Sequence, residues 1–239
     1  MSTLNILSGG AAQGLVASLT PPLKALTGFD IAGEFGAVGV MADKLRAGAR
    51  ADIIILTAAL VAKLAEEKLV VSGSMADVGL VETALAVRTG DPQAVVRDVA
   101  DLREVLMASD ALFVPDIKAS TAGIHVANVL RQLGIADEVA ARLKIFPNGA
   151  TAMRELAASG AQRPIGCTQS TEIISTKGVT LSGSLPRGCE LATMYTSGIT
   201  TATAHPQQAQ GLIGLLTGAG QQEQRRRAGF IGGRGETPA

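Results

Sequence analysis

The stretch Ala111–Leu133, ALFVPDIKASTAGIHVANVLRQL, constrains the fold more than any other. Ala111–Val114 is a short uninterrupted apolar run, the pattern of a buried strand, and Pro115 and Asp116 stop it. Ile124, Ala127, Val129, Leu130 and Leu133 then recur at nearly helical spacing. Ser120 or Thr121 stands where its hydroxyl can accept a bond from the first free amides of that helix. A helix that begins straight after a buried strand aims several unbonded N–H groups, and the positive end of its dipole, at the loop it leaves. Such an end suits an anion. The loop and first turn, Lys118, Ser120, Thr121, Ala122 and Gly123, therefore form a candidate half-site.

The same grammar recurs along the chain. Leu4–Ser8 reads as a strand that ends in Gly9-Gly10-Ala11, where glycine permits a tight turn and close approach to backbone. A helix over about Ala12–Leu26 follows, and Pro21-Pro22 must kink or interrupt it. Ile31–Phe35 is a second strand, and Gly36-Ala37-Val38-Gly39 opens a helix to about Ala47. Ala51–Leu56 is almost continuously apolar, as a central parallel strand is, and Thr57 stands at its end before a helix over Ala58–Lys68. Leu80–Arg88 is a long strand, and a charged helix falls near Val95–Met107. Beyond the central stretch come helix 135–142, strand 144–146, helix 150–158 and strand 164–168. A short helical turn after Ser170, strand 179–181 and an extended segment over 191–201 follow. Two helices close the chain, over 207–216, with Pro206 in the first helical position, and over 221–227. The glycine- and proline-rich tail 232–239 is expected to be disordered. Strands alternating with helices predict an α/β fold with parallel sheets. Ligands of open α/β sheets bind beyond the carboxyl ends of the strands.

Composition removes several functions. The 21 basic and 21 acidic residues balance, so neither nucleic acid nor an anionic membrane surface is expected as a partner. No tryptophan, one tyrosine and five phenylalanines leave little for stacking bases or sugars. Cys167 and Cys189 are too few for a thiolate cage, though they could pair, and His125 and His205 lie far apart in sequence, so no metal or cofactor is expected. No apolar run is long enough to insert in a membrane. The start MSTLNILSGG has no secretory pattern, which predicts a cytoplasmic chain as written, or a periplasmic one if a leader has been removed.

Several segments together carry a resemblance: LNILSGGAAQGL, FGAVGVMADKLRAGARADIIILTAA, PDIKASTAGIHVANVLRQLGI, GATAMRELAASGAQRPIGCTQSTEI and LLTGAGQQEQRRRAGF. Over its full length the chain resembles the type II periplasmic solute-binding proteins of the molybdate-binding kind. The resemblance implies a two-lobed α/β fold with a ligand cleft between the lobes. It puts lobe 1 at about 1–84 plus 197–239 and lobe 2 at about 85–196. In that family serine hydroxyls, a tyrosine hydroxyl and backbone amides hold a tetrahedral oxyanion. Here the first-loop serine falls at Ala11, the second-loop serine at Val38 or Gly39, and the tyrosine at Gln169. Ala122 and Ala150 match positions whose N–H the family uses. Each lost hydroxyl removes a charge-assisted bond of about 1.5–3 kcal/mol. The expected ligand is therefore a di- or tricarboxylate rather than molybdate. The chain is also similar to an enzyme on the same scaffold, aconitate isomerase, so the alternative is an isomerase that shifts an allylic proton in an unsaturated tricarboxylate.

The residues expected to line the site are Gly9, Gly10, Ala11, Ala37, Val38, Gly39 and Thr57 from the early loops, with Lys118 and Ser120–Gly123 from the central one. Ala150, Thr151, Gln169 and Ser170 complete the set. His125 is the first choice for a base, being the imidazole nearest a candidate loop. Glu34 is a second titratable group beside a candidate loop, and strand alternation can point it away.

Overall fold

A computed structural model describes residues 2–232. The expected tail lies outside them from residue 233 onward. The strands are β1 (Thr3–Gly9), β2 (Asp30–Gly36), β3 (Ile53–Thr57), β4 (Ala76–Arg88), β5 (Ala111–Pro115), β6 (Leu143–Phe146), β7 (Pro164–Gln169), β8 (Val179–Ser184) and β9 (Ala192–Ile199). The helices are α1 (Gln13–Thr27), α2 (Val38–Arg46), α3 (Ala58–Glu66), α4 (Val99–Ala108), α5 (Thr121–Gln132), α6 (Ala136–Val139), α7 (Gly149–Ala158), α8 (Ser170–Ile174), α9 (Pro206–Thr217) and α10 (Gln222–Arg227). The chain forms two compact units, one of residues 1–81 with 193–239 and one of residues 82–192.

In the first unit β1 is central, with β2 and β3 both parallel to it. β9 then runs antiparallel to β3, pairing Tyr195 with Thr57 and Ile199 with Ile53. The core holds Leu4 and Ile6 of β1, Ile53–Leu56 of β3, Leu15, Leu19 and Leu23 of α1, and Ala209, Leu212 and Ile213 of α9. β3 is buried on both faces, which is why it reads as an unbroken apolar run. Ile231 exchanges two backbone hydrogen bonds with Leu80, and Phe230 is buried beside them.

Pro21 and Pro22 lie inside α1, which continues through them to Thr27, so the expected interruption does not occur. Pro22 cannot bond to Ser18 O. The Gln224 amide donates to that carbonyl instead, at 3.3 Å. Burial of Leu15, Leu19 and Leu23 on one stripe offsets the loss of helix bonds on the opposite face.

In the second unit β5 lies between β6 and β7, parallel to both. β4 runs antiparallel to β7, and β8 antiparallel to β4. The sheets are thus mixed, where strand–helix alternation alone predicts parallel pairing. The antiparallel partners are β4, β8 and β9, and the 135–142 segment splits into α6 and a 3₁₀ turn at 140–142. Two apolar clusters cover the sheet. One joins Leu85, Val87, Ile165 and Cys167 to Val126, Val129 and Leu130 of α5. The other joins Ala84 and Ala86 to Ala152, Met153 and Leu156 of α7. Alternate residues of β4 and β7 therefore face α5 and α7 in turn.

Candidate anion site

In the first unit the candidate residues gather at the carboxyl ends of β1, β2 and β3. Ser8 is fully buried, and its hydroxyl donates to Gly9 O at 2.9 Å. Gly10–Ala12 forms a 3₁₀ turn without a side-chain cap. A Cβ on Gly9 would lie 2.8 Å from Val38 Cγ1 and 3.0 Å from Tyr195 Cε1. Gly9 is therefore glycine for space, because its φ of −59° is open to any residue. α2 starts at Val38, with Ala37 as N-cap and no side-chain cap, and Gly39 is half-buried. Thr57 is the N-cap of α3, but its hydroxyl makes no cap bond. Glu34 is exposed and ion-paired with Lys44.

Tyr195 was not singled out from the sequence. It is 2 % exposed, stands beside Thr57 across the β3–β9 ladder, and brings its ring against Gly9. Its edge also meets Phe230 in a T-shaped pair at 6.5 Å. The available signal was that the sole tyrosine falls in the extended segment 191–201.

In the second unit Asp116 Oδ1 accepts the amides of Lys118 and Ala119 at 2.7 and 3.0 Å and folds the loop tightly before α5. A Cβ on Gly123 would lie 2.2 Å from Asp116 O, so only glycine lets the loop close on the first turn of the helix. Ser120 is the N-cap by backbone geometry, yet neither it nor Thr121 supplies the expected hydroxyl cap. The first intrahelical bond is Ile124 N–H to Ser120 O, which leaves the amides of Thr121, Ala122 and Gly123 ahead of the helical ladder. Ala122 is fully buried, and the Lys118 side chain is exposed.

His125 Nε2 lies 2.8 Å from Cys189 O, so the Nε2–H tautomer ties α5 to the segment before β9. Nδ1 is then the ring nitrogen with a lone pair. Both cysteines are free thiols, and the possible Cys167–Cys189 bridge does not form. Burial pushes the Cys167 thiol up to about 12.

The start of α7 is closed by the protein itself. Asn148 Oδ1 accepts Thr151 N–H at 2.8 Å, and Arg154 donates to the Thr151 hydroxyl at 2.9 Å. The amides of Gly149, Ala150 and Gln169 donate to the Glu172 carboxylate. Thr168 Oγ1 adds a fourth donor, 2.6 Å from Glu172 Oε2. A Cβ on Gly149 would fall 1.9 Å from that oxygen, so Gly149 is required by the carboxylate. The amide of Ala150, expected to meet a ligand, is thus spent on an internal anion. Burial raises the Glu172 pKa, and the four donors pull it partly back. Glu172 was missed because two of its partners, Gly149 and Ala150, lie more than twenty residues upstream. Gln169 is 3 % exposed with neither amide atom bonded, and Thr83 Oγ1 is likewise buried without a partner. Ser170 is buried at the start of α8. Among the described residues no cluster of three His, Cys, Asp or Glu could hold a metal, and no helix is long and apolar enough to cross a membrane.

This architecture is that of the type II periplasmic binding proteins. The periplasmic molybdate-binding protein of Azotobacter vinelandii superposes with a TM-score of 0.81 at 18% identity, covering 99% of this chain and 100% of that one. The sulfate-binding protein SubI of Mycobacterium tuberculosis H37Rv superposes with a TM-score of 0.73 at 16% identity, over 96% of this chain and 86% of that one. Residues 4–231 match the bacterial extracellular solute-binding protein family, and the chain belongs to it. Aconitate isomerase of a Pseudomonas species is 22% identical over 224 residues, 90% of this chain and 82% of that protein.

Proposed function

We propose that this protein binds a small carboxylate anion through backbone amides at uncapped helix starts. The observation that carries the reading is the buried, uncapped first turn of α5 at Ala122 in the second unit; α2 of the first unit starts in the same way at Val38. Helix starts of this kind supply N–H donors and a positive dipole end without any cationic side chain. The side chains of Val38 and Ala122 themselves donate nothing, so the donors at each first turn are backbone amides. A carboxylate has two oxygens to satisfy and a tetrahedral oxyanion four, so a first turn that offers a few backbone amides and no cation favours the carboxylate. A thermal-shift series with di- and tricarboxylates tests this: a bound ligand raises the melting temperature progressively with concentration. A flat response to every carboxylate refutes it.

A second reading is favoured by the similarity to aconitate isomerase. In it His125 takes a proton from an allylic carbon through Nδ1, the atom left basic by the bond from Nε2–H to Cys189 O, and returns it to the other end of the allyl system. Helix amides stabilise the charge that develops between the two steps. Proton NMR of cis-aconitate in D₂O tests it: isomerisation with deuterium uptake supports the enzyme, and binding without either leaves the binding protein.

A further inference from the structure

Among the described residues of the second unit, three buried side chains, Thr83, Gln169 and Thr171, have polar atoms that answer no group of the protein, and the first two stand together. Gln169 has both Oε1 and Nε2 unbonded at 3 % exposure, and Thr83 has Oγ1 unbonded at 1 %. Buried polar atoms in native proteins nearly always have partners. The β4–β7 register sets Thr83 directly opposite Gln169, so their side chains lie side by side on one face of the sheet.

Which face follows from the alternation. Leu85, two residues after Thr83, and its partner Cys167, two residues before Gln169, pack against Val126, Val129 and Leu130 of α5. The Thr83–Gln169 pair therefore stands on the α5 side, at the carboxyl end of β7. β5 runs parallel to β7, and the loop after β5 leads into the uncapped start of α5 at Thr121 and Ala122. Thr168 and Glu172 belong to the opposite, α7 side, where the helix amides are already taken by the Glu172 carboxylate.

The chemistry of the unbonded atoms selects the ligand. A carboxamide open at both ends asks for a group that donates and accepts at once. A hydroxyl does so, and the threonine hydroxyl can take either role to complete the set. A carboxylate or a fully ionised oxyanion would satisfy Nε2 and set a negative oxygen against Oε1. We propose that Thr83 and Gln169 recognise an alcohol hydroxyl on the ligand, next to a carboxylate held at the start of α5. The ligand class is then a hydroxycarboxylate. This rests on the carboxylate reading above and narrows it.

The test is titration calorimetry of the full chain with succinate and with malate, which differ by one hydroxyl, repeated on Thr83→Val and Gln169→Met. The expected result is malate binding at least tenfold tighter than succinate, with the ratio falling to within twofold in both variants. Succinate and malate binding equally refutes the hydroxyl site and leaves the carboxylate reading intact. A ratio that survives both substitutions also refutes it, and assigns the pair to an ordered water. Binding of neither acid refutes this inference, and the carboxylate reading falls with it only if citrate and the other di- and tricarboxylates of the thermal-shift series also fail to bind.

Discussion

Replacing Thr168 with valine removes one donor to a buried carboxylate and keeps the shape of the side chain. The bond is 2.6 Å long, Thr168 is fully buried, and Glu172 is 5 % exposed, so water cannot substitute for the lost hydroxyl. A hydrogen bond to an ionised group contributes about 1.5–3 kcal/mol. For a chain of this size each kcal/mol corresponds to roughly 2–4 °C in melting temperature, so Thr168→Val should melt roughly 3–12 °C lower. The effect should depend on pH with a definite sign. Burial raises the Glu172 pKa, and the Thr168 hydroxyl lowers it. A carboxyl with a raised folded-state pKa contributes stability that is full below the ordinary carboxylate range and is lost as pH rises through the folded value. Without Thr168 that value moves higher still, and stability is lost over a wider interval. The gap between the two proteins should therefore be smallest at acid pH, where the carboxyl is protonated, and should widen as pH rises. Differential scanning calorimetry across a series of pH values is the assay. A gap that does not change with pH, or that stays under about 1 °C at high pH, would refute the burial argument.

Gly9→Ala should cost about 1–3 kcal/mol, because its Cβ would sit 2.8 Å from Val38 Cγ1, and the double change with Val38→Ala should recover most of that loss. Urea unfolding checks both, and no recovery would mean that the strain lies elsewhere. The Cys167 thiol, buried and pushed up to about 12, should not react with a thiol-exchange reagent at about pH 8 until the protein unfolds. Rapid labelling of the native protein at Cys167, read by peptide mass spectrometry, would contradict its placement in the sheet.

The parts of the fold legible in the sequence are those whose cause is local. Ile53–Leu56 and Ala111–Val114 are apolar throughout because their strands are covered on both faces, and their identity as central strands follows at once. The glycine turns after β1 and β2 are legible for the same reason, since the need for space shows in the residue type. What the sequence hides depends on partners distant along the chain. Glu172 looks like one acid in a short polar helix, and only the fold sets Gly149 and Ala150 over its carboxylate. Tyr195 comes beside Gly9 through an antiparallel strand returning from the far end of the chain. Ser120 and Thr121 match the composition of a cap, but the Asp116 turn already organises the loop, and neither hydroxyl bonds to the helix. Pro21 and Pro22 show the limit of a local rule, because buried leucines and a side chain from α10 hold α1 together across them.

The central claim is that uncapped helix starts lined by alanine and valine suit a carboxylate better than a tetrahedral oxyanion. Calorimetric titration of the full chain with citrate, malate, succinate, molybdate and sulfate under one buffer tests it most directly. Saturable binding of at least one carboxylate is expected, with molybdate and sulfate at least tenfold weaker. Tight molybdate or sulfate binding with no response to any of the carboxylates would contradict it.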